Sequence, residues 1–213
     1  MTEELVHAPV LVAGKLVLFP HMRCSVHLRT AHALAALRAA CEARRPIVVF
    51  ANRFDSPDDG VAQLHSVGTL ALVRRAGEGR CCGRLVADLE GIARVRVACF
   101  TRLEPYREAS CALLSSASAE IDGHRLALQV RTVAGRIHGH FQRCVHVSEA
   151  AARLVESSTP EEVLGAVGGL LFHLQTFQRQ QILELEPLSA RLEAVLFELQ
   201  ERLARSTPSK LLH

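Results

Sequence analysis

The stretch KLVLFPHMRCSVHLR, residues 15–29, decides how the N-terminal half is interpreted, because a proline divides a run of strand-forming residues. Proline lacks the backbone N–H that a central strand needs, and it occurs at strand ends, edges and bulges. We therefore predict two strands, Leu16–Phe19 and Arg23–Leu28, which leave a bend at Phe19–Met22 in different directions. The bend either packs into a core or forms a surface that a partner contacts. Its candidate residues are Leu18, Phe19, Pro20 and Met22, and alternation along the strand favours packing.

The composition is that of a folded protein without a strongly charged surface. The chain has 213 residues, 49% of them hydrophobic and 22% charged, which suits one or two domains. Its 25 basic and 22 acidic side chains leave a formal net charge of +3. This balance does not favour nucleic acid as a partner, because nucleic-acid binding needs a basic patch or stripe on one face.

No feature of the sequence directs the chain to a membrane or to secretion. The N-terminal stretch MTEELVHAPV carries glutamates where a signal peptide carries lysine or arginine. No apolar run approaches the roughly 18 residues that a membrane span requires. The 7 cysteines are odd in number and irregularly spaced, so we interpret them as unpaired thiols, the adjacent Cys81 and Cys82 included. We predict a reduced, cytoplasmic protein.

The first half of the chain reads as short strands with one inserted helix. Thr30 can cap a helix over Ala31–Ala43, and a buried strand follows Pro46. Further strands run through HSVGTLALVRR, CCGRLVADLEG, IARVRVACFTRLEP and YREASCALL. In ARVRVACF the arginines alternate with valines, the period of a half-buried strand. We predict a compact, partly closed β domain over residues 1–117.

Beyond residue 117 the hydrophobic period changes from 2 to 3.6, which predicts a C-terminal α-helical bundle over residues 118–213. Apolar residues recur at helical spacing from Leu126 to Phe141. Thr159-Pro160-Glu161-Glu162 has the composition of a helix N-terminus with a capping box. A break is expected near Gly168–Gly169, and Pro187 opens the last amphipathic helix. The fold class is α+β.

The sequence contains no recognisable catalytic motif. It lacks a phosphate-binding GxxxxGK[ST], a GxSxG, an HExxH and a paired CxxC. The acidic pairs Asp58–Asp59 and Glu161–Glu162 are explained by a turn and by a helix start. We predict no catalytic residue, no cofactor and no enzymatic activity.

One cluster has the residue types of a metal site. The stretch HGHFQRCVH contains His138, His140, Cys144 and His146. On a helix His140 and Cys144 would share a face, but the two other histidines would point elsewhere. We therefore favour a polar helix end with a core cysteine over a bound metal.

The order of these features resembles the N-terminal, substrate-binding domain of Lon proteases. KLVLFPHMRCSVHLR resembles the family's opening signature, an apolar strand that ends in Phe-Pro and is usually followed by Gly-Met. The similarity continues through the inserted helix, RRPIVVFANR, VGTLALVRR, LEGIARVRV, EPYREASC and RQQILELEPLSARLEAVLFELQ, from about residue 7 to 203. It implies a PUA-like β domain followed by a helical bundle. It does not imply proteolysis, because the ATPase and Ser-Lys peptidase parts of Lon have no counterpart here.

The chain departs from the family pattern at the bend, where His21 stands in place of the usual glycine. A histidine at this position predicts a turn without positive φ, because positive φ is costly for a residue with a Cβ atom.

The resemblance implies a non-enzymatic module that binds unfolded or tagged proteins, or that docks to a protease or another partner. A weak homodimer is left open. The alternative is RNA binding, since PUA-like folds elsewhere bind RNA. A basic strip on the β domain would carry it, formed by Arg74, Arg75, Arg84, Arg94 and Arg96, with Arg80 between them. Against this alternative, Tyr106 is the only Tyr or Trp, so stacking aromatics are lacking.

Overall fold

The computed structural model describes residues 5–53, 61–78, 85–115, 121–140 and 145–206. Its contacts divide the chain into two compact units. The first, which we call the β unit, combines Met1–Ser115 with Thr176–Glu184. The second, the helical unit, combines Ser116–Gln175 with Leu185–His213. The predicted α+β class, with a β-rich N-terminal part and a helical C-terminal part, is confirmed.

Six strands form the sheet of the β unit. They are β1 (Leu5–Val12), β2 (Arg23–His27), β3 (Ile47–Phe50), β4 (Val67–Glu78), β5 (Leu85–Arg102) and β6 (Glu108–Leu113). Their order is β2-β5-β4-β3-β1-β6, and β6 also pairs with β5. Strands β5, β4, β3, β1 and β6 therefore close into a ring, and β2 lies outside it at an edge.

The long strand β5 closes the ring because it has two sets of partners. Its first part pairs with β2 and β4, and its last part pairs with β6 from Val95↔Leu113 to Arg102↔Glu108. Register shifts between Leu70/Ala71 and Val73/Arg75 interrupt the pairing with β4. Bulges of this kind bend a strand and increase its twist, as closure requires. The sequence predicted two strands here, divided at Gly91, and the structure has one.

The interior of the ring is apolar. Its buried cluster consists of Ala8, Val10, Val48, Phe50, Leu64, Leu70, Val95, Ala109 and Cys111. Helix α1 (Ala31–Glu42) packs on β1 and β3 and buries its small face of Ala33, Ala36, Leu37 and Ala40. The hydroxyl of Thr30 accepts a hydrogen bond from the N–H of Ala33, so the predicted cap is confirmed.

The helical unit contains α2 (Ile121–His140), α3 (Val145–Glu156), α4 (Pro160–Val167), a 3₁₀ segment (Gly168–His173) and α6 (Leu188–Ser206). Thr159 and Glu162 form the predicted capping box of α4. The predicted break at Gly168–Gly169 is the change from α to 3₁₀ geometry. Among the helices that the structure describes, none combines the length and the apolar character needed to cross a bilayer.

Helix α5 (Thr176–Glu184) belongs by its contacts to the β unit, although its neighbours in sequence belong to the helical unit. The prediction placed all residues after 117 in the bundle. That residues 1–117 and 118–213 fold independently stays a prediction. By its contacts, α5 belongs with the first of these parts.

Candidate polypeptide-binding region

The bend after Phe19 is fixed by backbone hydrogen bonds to Gly91 on β5. The N–H of His21 donates to the carbonyl of Gly91 at 2.9 Å, and the N–H of Gly91 donates to the carbonyl of Met22 at 2.9 Å. Within the bend, the N–H of Met22 donates to the carbonyl of Phe19 at 3.1 Å. The interruption at Pro20 is thus a tight turn that leads the chain into β2.

Gly91 allows this close approach because it has no side chain. A Cβ atom at position 91 would lie 2.3 Å from the carbonyl oxygen of Phe19 and 3.2 Å from the Cα of Pro20. Both neighbours are backbone atoms, so neither could move aside as a flexible side chain would. The sequence does not reveal this role of Gly91, because the bend that it contacts lies about seventy residues away in the chain.

The segment before the bend is not a strand, so the predicted strand Leu16–Phe19 is wrong. Side chains satisfy its carbonyls in place of a strand ladder. The carbonyl of Lys15 accepts from Arg179 at 2.9 Å and from Thr176 at 3.3 Å, both on α5. The carbonyl of Leu18 accepts from the hydroxyl of Thr69 on β4. Because these partners come from other elements, strand-forming composition alone did not reveal them.

Buried polar side chains connect helix α5 to the strands of the β unit. Arg94 on β5 is 1% exposed and donates to the carbonyl of Leu183 at 3.1 Å. This carbonyl lies in the last turn of α5, where no partner is available within the helix. From the helix side, Gln180 donates to the carbonyl of Val67 at 2.9 Å. Arg179, also on α5, donates to the carbonyl of Lys15. Burial lowers the pKa of its guanidinium group.

Strand β2 continues the sheet beyond the ring and carries a charged cross-strand network. Arg23 on β2 and Arg74 on β4 both donate to the carboxylate of Glu90 on β5. Ser25 donates to Asp88 at 2.6 Å in the next row. Burial raises the pKa of Glu90, but the hydrogen bonds and charges of both arginines outweigh it, and the pKa lies below its usual value. Two guanidinium groups thus share one carboxylate.

A family model decides what this architecture is. The model of the ATP-dependent protease La (LON) substrate-binding domain matches residues 7–201. The chain belongs to this family. It is similar to the Lon proteases of Halothermothrix orenii, Desulfovibrio desulfuricans and Escherichia coli K12, at 23%, 26% and 24% identity over 92%, 93% and 91% of this chain. It spans about a quarter of the length of these Lon proteases.

Solved structures of Lon N-terminal domains have the same fold. The N-terminal domain of the Mycobacterium avium complex Lon protease has a TM-score of 0.72 at 16% identity, over 92% of this chain and 99% of that one. A Lon N-terminal domain protein from Xanthomonas campestris has a TM-score of 0.57 at 19% identity, over 90% and 98%.

In this Lon substrate-binding domain the signature bend is mostly interior. Leu18 and Met22 are each 2% exposed, Phe19 is 0% exposed, and Pro20 is half-buried. These values agree with the packing interpretation, and direct contact with a client by the predicted residues stays a prediction. The expected absence of positive φ at His21 is wrong, because its φ is 59°. The hydrogen bond from its N–H to Gly91 holds this conformation.

The predicted basic strip loses a member, because Arg94 is buried under α5 rather than exposed with its neighbours. Alternation along β5 misplaced it, since a helix distant in sequence covers that face. Arg75 and Arg96 are exposed, and Arg74 is exposed but engages Glu90. Arg80 and Arg84 lie outside the described residues.

The candidate metal cluster also lies mostly outside the described side chains. Helix α2 ends at His140 and α3 begins at Val145. Of the four residues, only His138 has a described side chain, and it is half-buried. No group of three or more His, Cys, Asp or Glu side chains that could hold a metal occurs within the described part of the chain. Cys81 and Cys82 lie outside that part too.

Proposed function

We propose that this Lon substrate-binding domain binds unfolded or tagged polypeptide segments and has no catalytic activity of its own. The match of residues 7–201 to a substrate-binding domain carries the proposal. The site of action is proposed to be the cytoplasm, where the bound protein would be presented to a protease or to another partner.

Two properties of the β unit suit this function. Its signature bend, Gly91 and α5 are joined by backbone and buried polar hydrogen bonds, which favours a rigid platform over one that folds on binding. Its surface carries large apolar side chains that a client could cover. They are Leu5, Ile92, Leu103 and Phe177, between 38% and 55% exposed.

Binding to matched folded and unfolded forms of one protein tests the proposal. A reduced, carboxymethylated and fluorescently labelled lactalbumin is permanently unfolded, and its native form is the control. We expect the unfolded form to bind and the native form not to bind. Equal binding of both forms, or of neither, would contradict the proposal.

Catalysis is tested on the same preparation. The pure protein is expected to hydrolyse neither ATP nor casein. Hydrolysis that a single substitution in this chain abolishes would show an active site that the motifs do not contain.

A further inference from the structure

The edge strand β2 presents one row of backbone groups away from the sheet. The N–H of Gly91 donates to the carbonyl of Met22, and the N–H of Leu28 donates to the carbonyl of Leu85. These bonds mark the even-numbered residues of β2 as the ones that bond to β5, because hydrogen-bonded and non-bonded pairs alternate in an antiparallel ladder. The N–H and C=O groups of Arg23, Ser25 and His27 therefore point outward.

This row is accessible in the described structure. Strand β2 pairs with β5 alone among the described strands, and the side chains of Arg23, Ser25 and His27 are exposed. The other strands of the unit each have neighbours on both sides through the closed ring. Outward N–H and C=O groups that repeat at every second residue match the backbone of an extended polypeptide.

The charges around β2 disfavour a second copy of this chain as the occupant. Residues 21–29 contain two arginines, two histidines and no carboxylate. Antiparallel self-pairing centred on Ser25 would set Arg23 of each copy opposite His27 of the other. The charges next to this edge balance, because Arg23 and Arg74 are matched by the carboxylates of Glu90 and Asp88. The strand that pairs with Arg23 and His27 would itself bring two further basic residues if it were a second copy, whereas an acidic segment would complement them.

The two faces of β2 define the side chains of a matching strand. Arg23, Ser25 and His27 lie on the exposed face, and Cys24 and Val26 on the opposite, half-buried face. Residues directly opposite each other share a face of the sheet. A matching strand would place acidic side chains opposite Arg23 and His27 and apolar side chains opposite Cys24 and Val26.

We propose that the edge of β2 binds an extended polypeptide segment of alternating acidic and apolar residues as an additional strand. The proposal rests on the proposed polypeptide-binding function and names the site at which it occurs.

Backbone methylation of a synthetic peptide tests the proposal without altering the protein. The probe is a fluorescein-labelled eight-residue peptide of alternating Glu and Val. Its binding to the protein is measured by fluorescence anisotropy near neutral pH. The proposed strand runs antiparallel to β2, so glutamates opposite Arg23 and His27 direct their N–H groups to β2, whereas the valine N–H groups point away. N-methylation of the glutamates should weaken binding at least tenfold, and N-methylation of the valines less than threefold. Equal effects of the two modifications would overturn the proposal.

A matched pair of variants tests the same edge from the protein side. Ser25→Pro and Ser25→Ala both remove the hydroxyl that donates to Asp88, but only the proline removes the outward N–H. Ser25→Pro should weaken peptide binding at least tenfold, and Ser25→Ala less than threefold. Circular dichroism shows whether each variant folds. If Ser25→Pro does not fold, the methylated peptides still test the edge, because they are used with the unmodified protein.

The unfolded lactalbumin probe separates this proposal from the function on which it rests. Competition between the Glu-Val peptide and that probe supports both. If the lactalbumin binds and the peptide does not compete, the edge is not the site, although the function stands. If the lactalbumin does not bind, the function itself fails. Dimerisation in sedimentation experiments that Ser25→Pro abolishes would assign the edge to a second copy and overturn the proposal.

Discussion

Gly91 shows how one residue can determine the path of a distant segment. Its missing side chain leaves room for the carbonyl of Phe19, and its N–H and C=O groups bond to Met22 and His21. Proline fixes φ at position 20, and the missing side chain at position 91 lets the two backbones approach closely enough to form these bonds.

Substitution of Gly91 by alanine should strongly destabilise the β unit. The new methyl group would lie 2.3 Å from a backbone oxygen. We expect a loss of at least about 3 kcal/mol in the free energy of unfolding, at the upper end of overpacking costs. Chemical denaturation measures it. Gly77→Ala is the matched control, since an added Cβ there meets no atom within 4 Å. Equal stabilities of the two variants would contradict this account of the bend.

Phe19 should contribute to stability as a core residue. It is 0% exposed, so Phe19→Ala is expected to cost roughly 3–5 kcal/mol, as other large-to-small core substitutions do. Phe177→Ala is the control, because that ring is 55% exposed on α5. An unchanged melting midpoint for Phe19→Ala together with weaker client binding would instead favour the predicted direct contact.

At the scale of the element, α5 is joined to the β unit by hydrogen bonds that a pattern of apolar residues does not encode. Arg94→Met keeps the length of the side chain and removes its donors. The carbonyl of Leu183 would lose its partner, at a cost of about 1–3 kcal/mol. Hydrogen exchange should show faster opening of α5. Arg75→Met, at an exposed arginine of β4, should leave exchange in α5 unchanged.

The network that joins β2, β5 and β4 should make the edge sensitive to acid. The pKa of Glu90 in the folded state lies below its ordinary value of 4.5, so its ionised form stabilises the fold above that pH. This contribution is lost as the pH falls through the folded-state pKa. Glu90→Gln should therefore be less stable than the unmodified chain at neutral pH, and the difference should narrow in acid. Denaturation measured from pH 7 to about pH 3 tests this, and a constant difference would contradict it.

The elements that the sequence predicted correctly are those with local causes. The Thr30 cap, the capping box of α4 and the break at Gly168–Gly169 each depend on residues within one or two turns. Helix α5 is different, because Arg179 and Gln180 bond to carbonyls of residues 15 and 67. No spacing within residues 176–184 could identify partners so distant in the chain.

The candidate site was less predictable than the fold for the same reason. The bend residues were recognised as important, yet their burial depends on Gly91, Thr69 and α5. Arg94 and Arg96 were placed on one exposed face, and a helix from beyond residue 175 separates them by covering Arg94. That β2 is an edge follows only from the strand order, which depends on pairings between distant residues.

At the scale of the whole molecule, a balanced charge and a rigid β unit suit the proposed binding of polypeptides. The formal net charge is +3, and the arginine beneath α5 does not contribute to an exposed basic strip. Backbone pairing and apolar contact are screened little by salt, and the few exposed carboxylate–arginine contacts of the proposed strand contribute little. Contacts to phosphates, by contrast, release counterions and weaken steeply as salt rises.

The salt dependence of binding affinity therefore tests polypeptide binding most directly. The protein is titrated with unfolded lactalbumin and, separately, with a single-stranded RNA. Between about 50 and 200 mM salt, a site that neutralises four phosphates of single-stranded RNA would lose roughly 50-fold in affinity. We predict that the unfolded protein binds at both concentrations and changes its affinity less than about threefold. Tight RNA binding that collapses at the higher salt, without binding of the unfolded protein, would contradict the account.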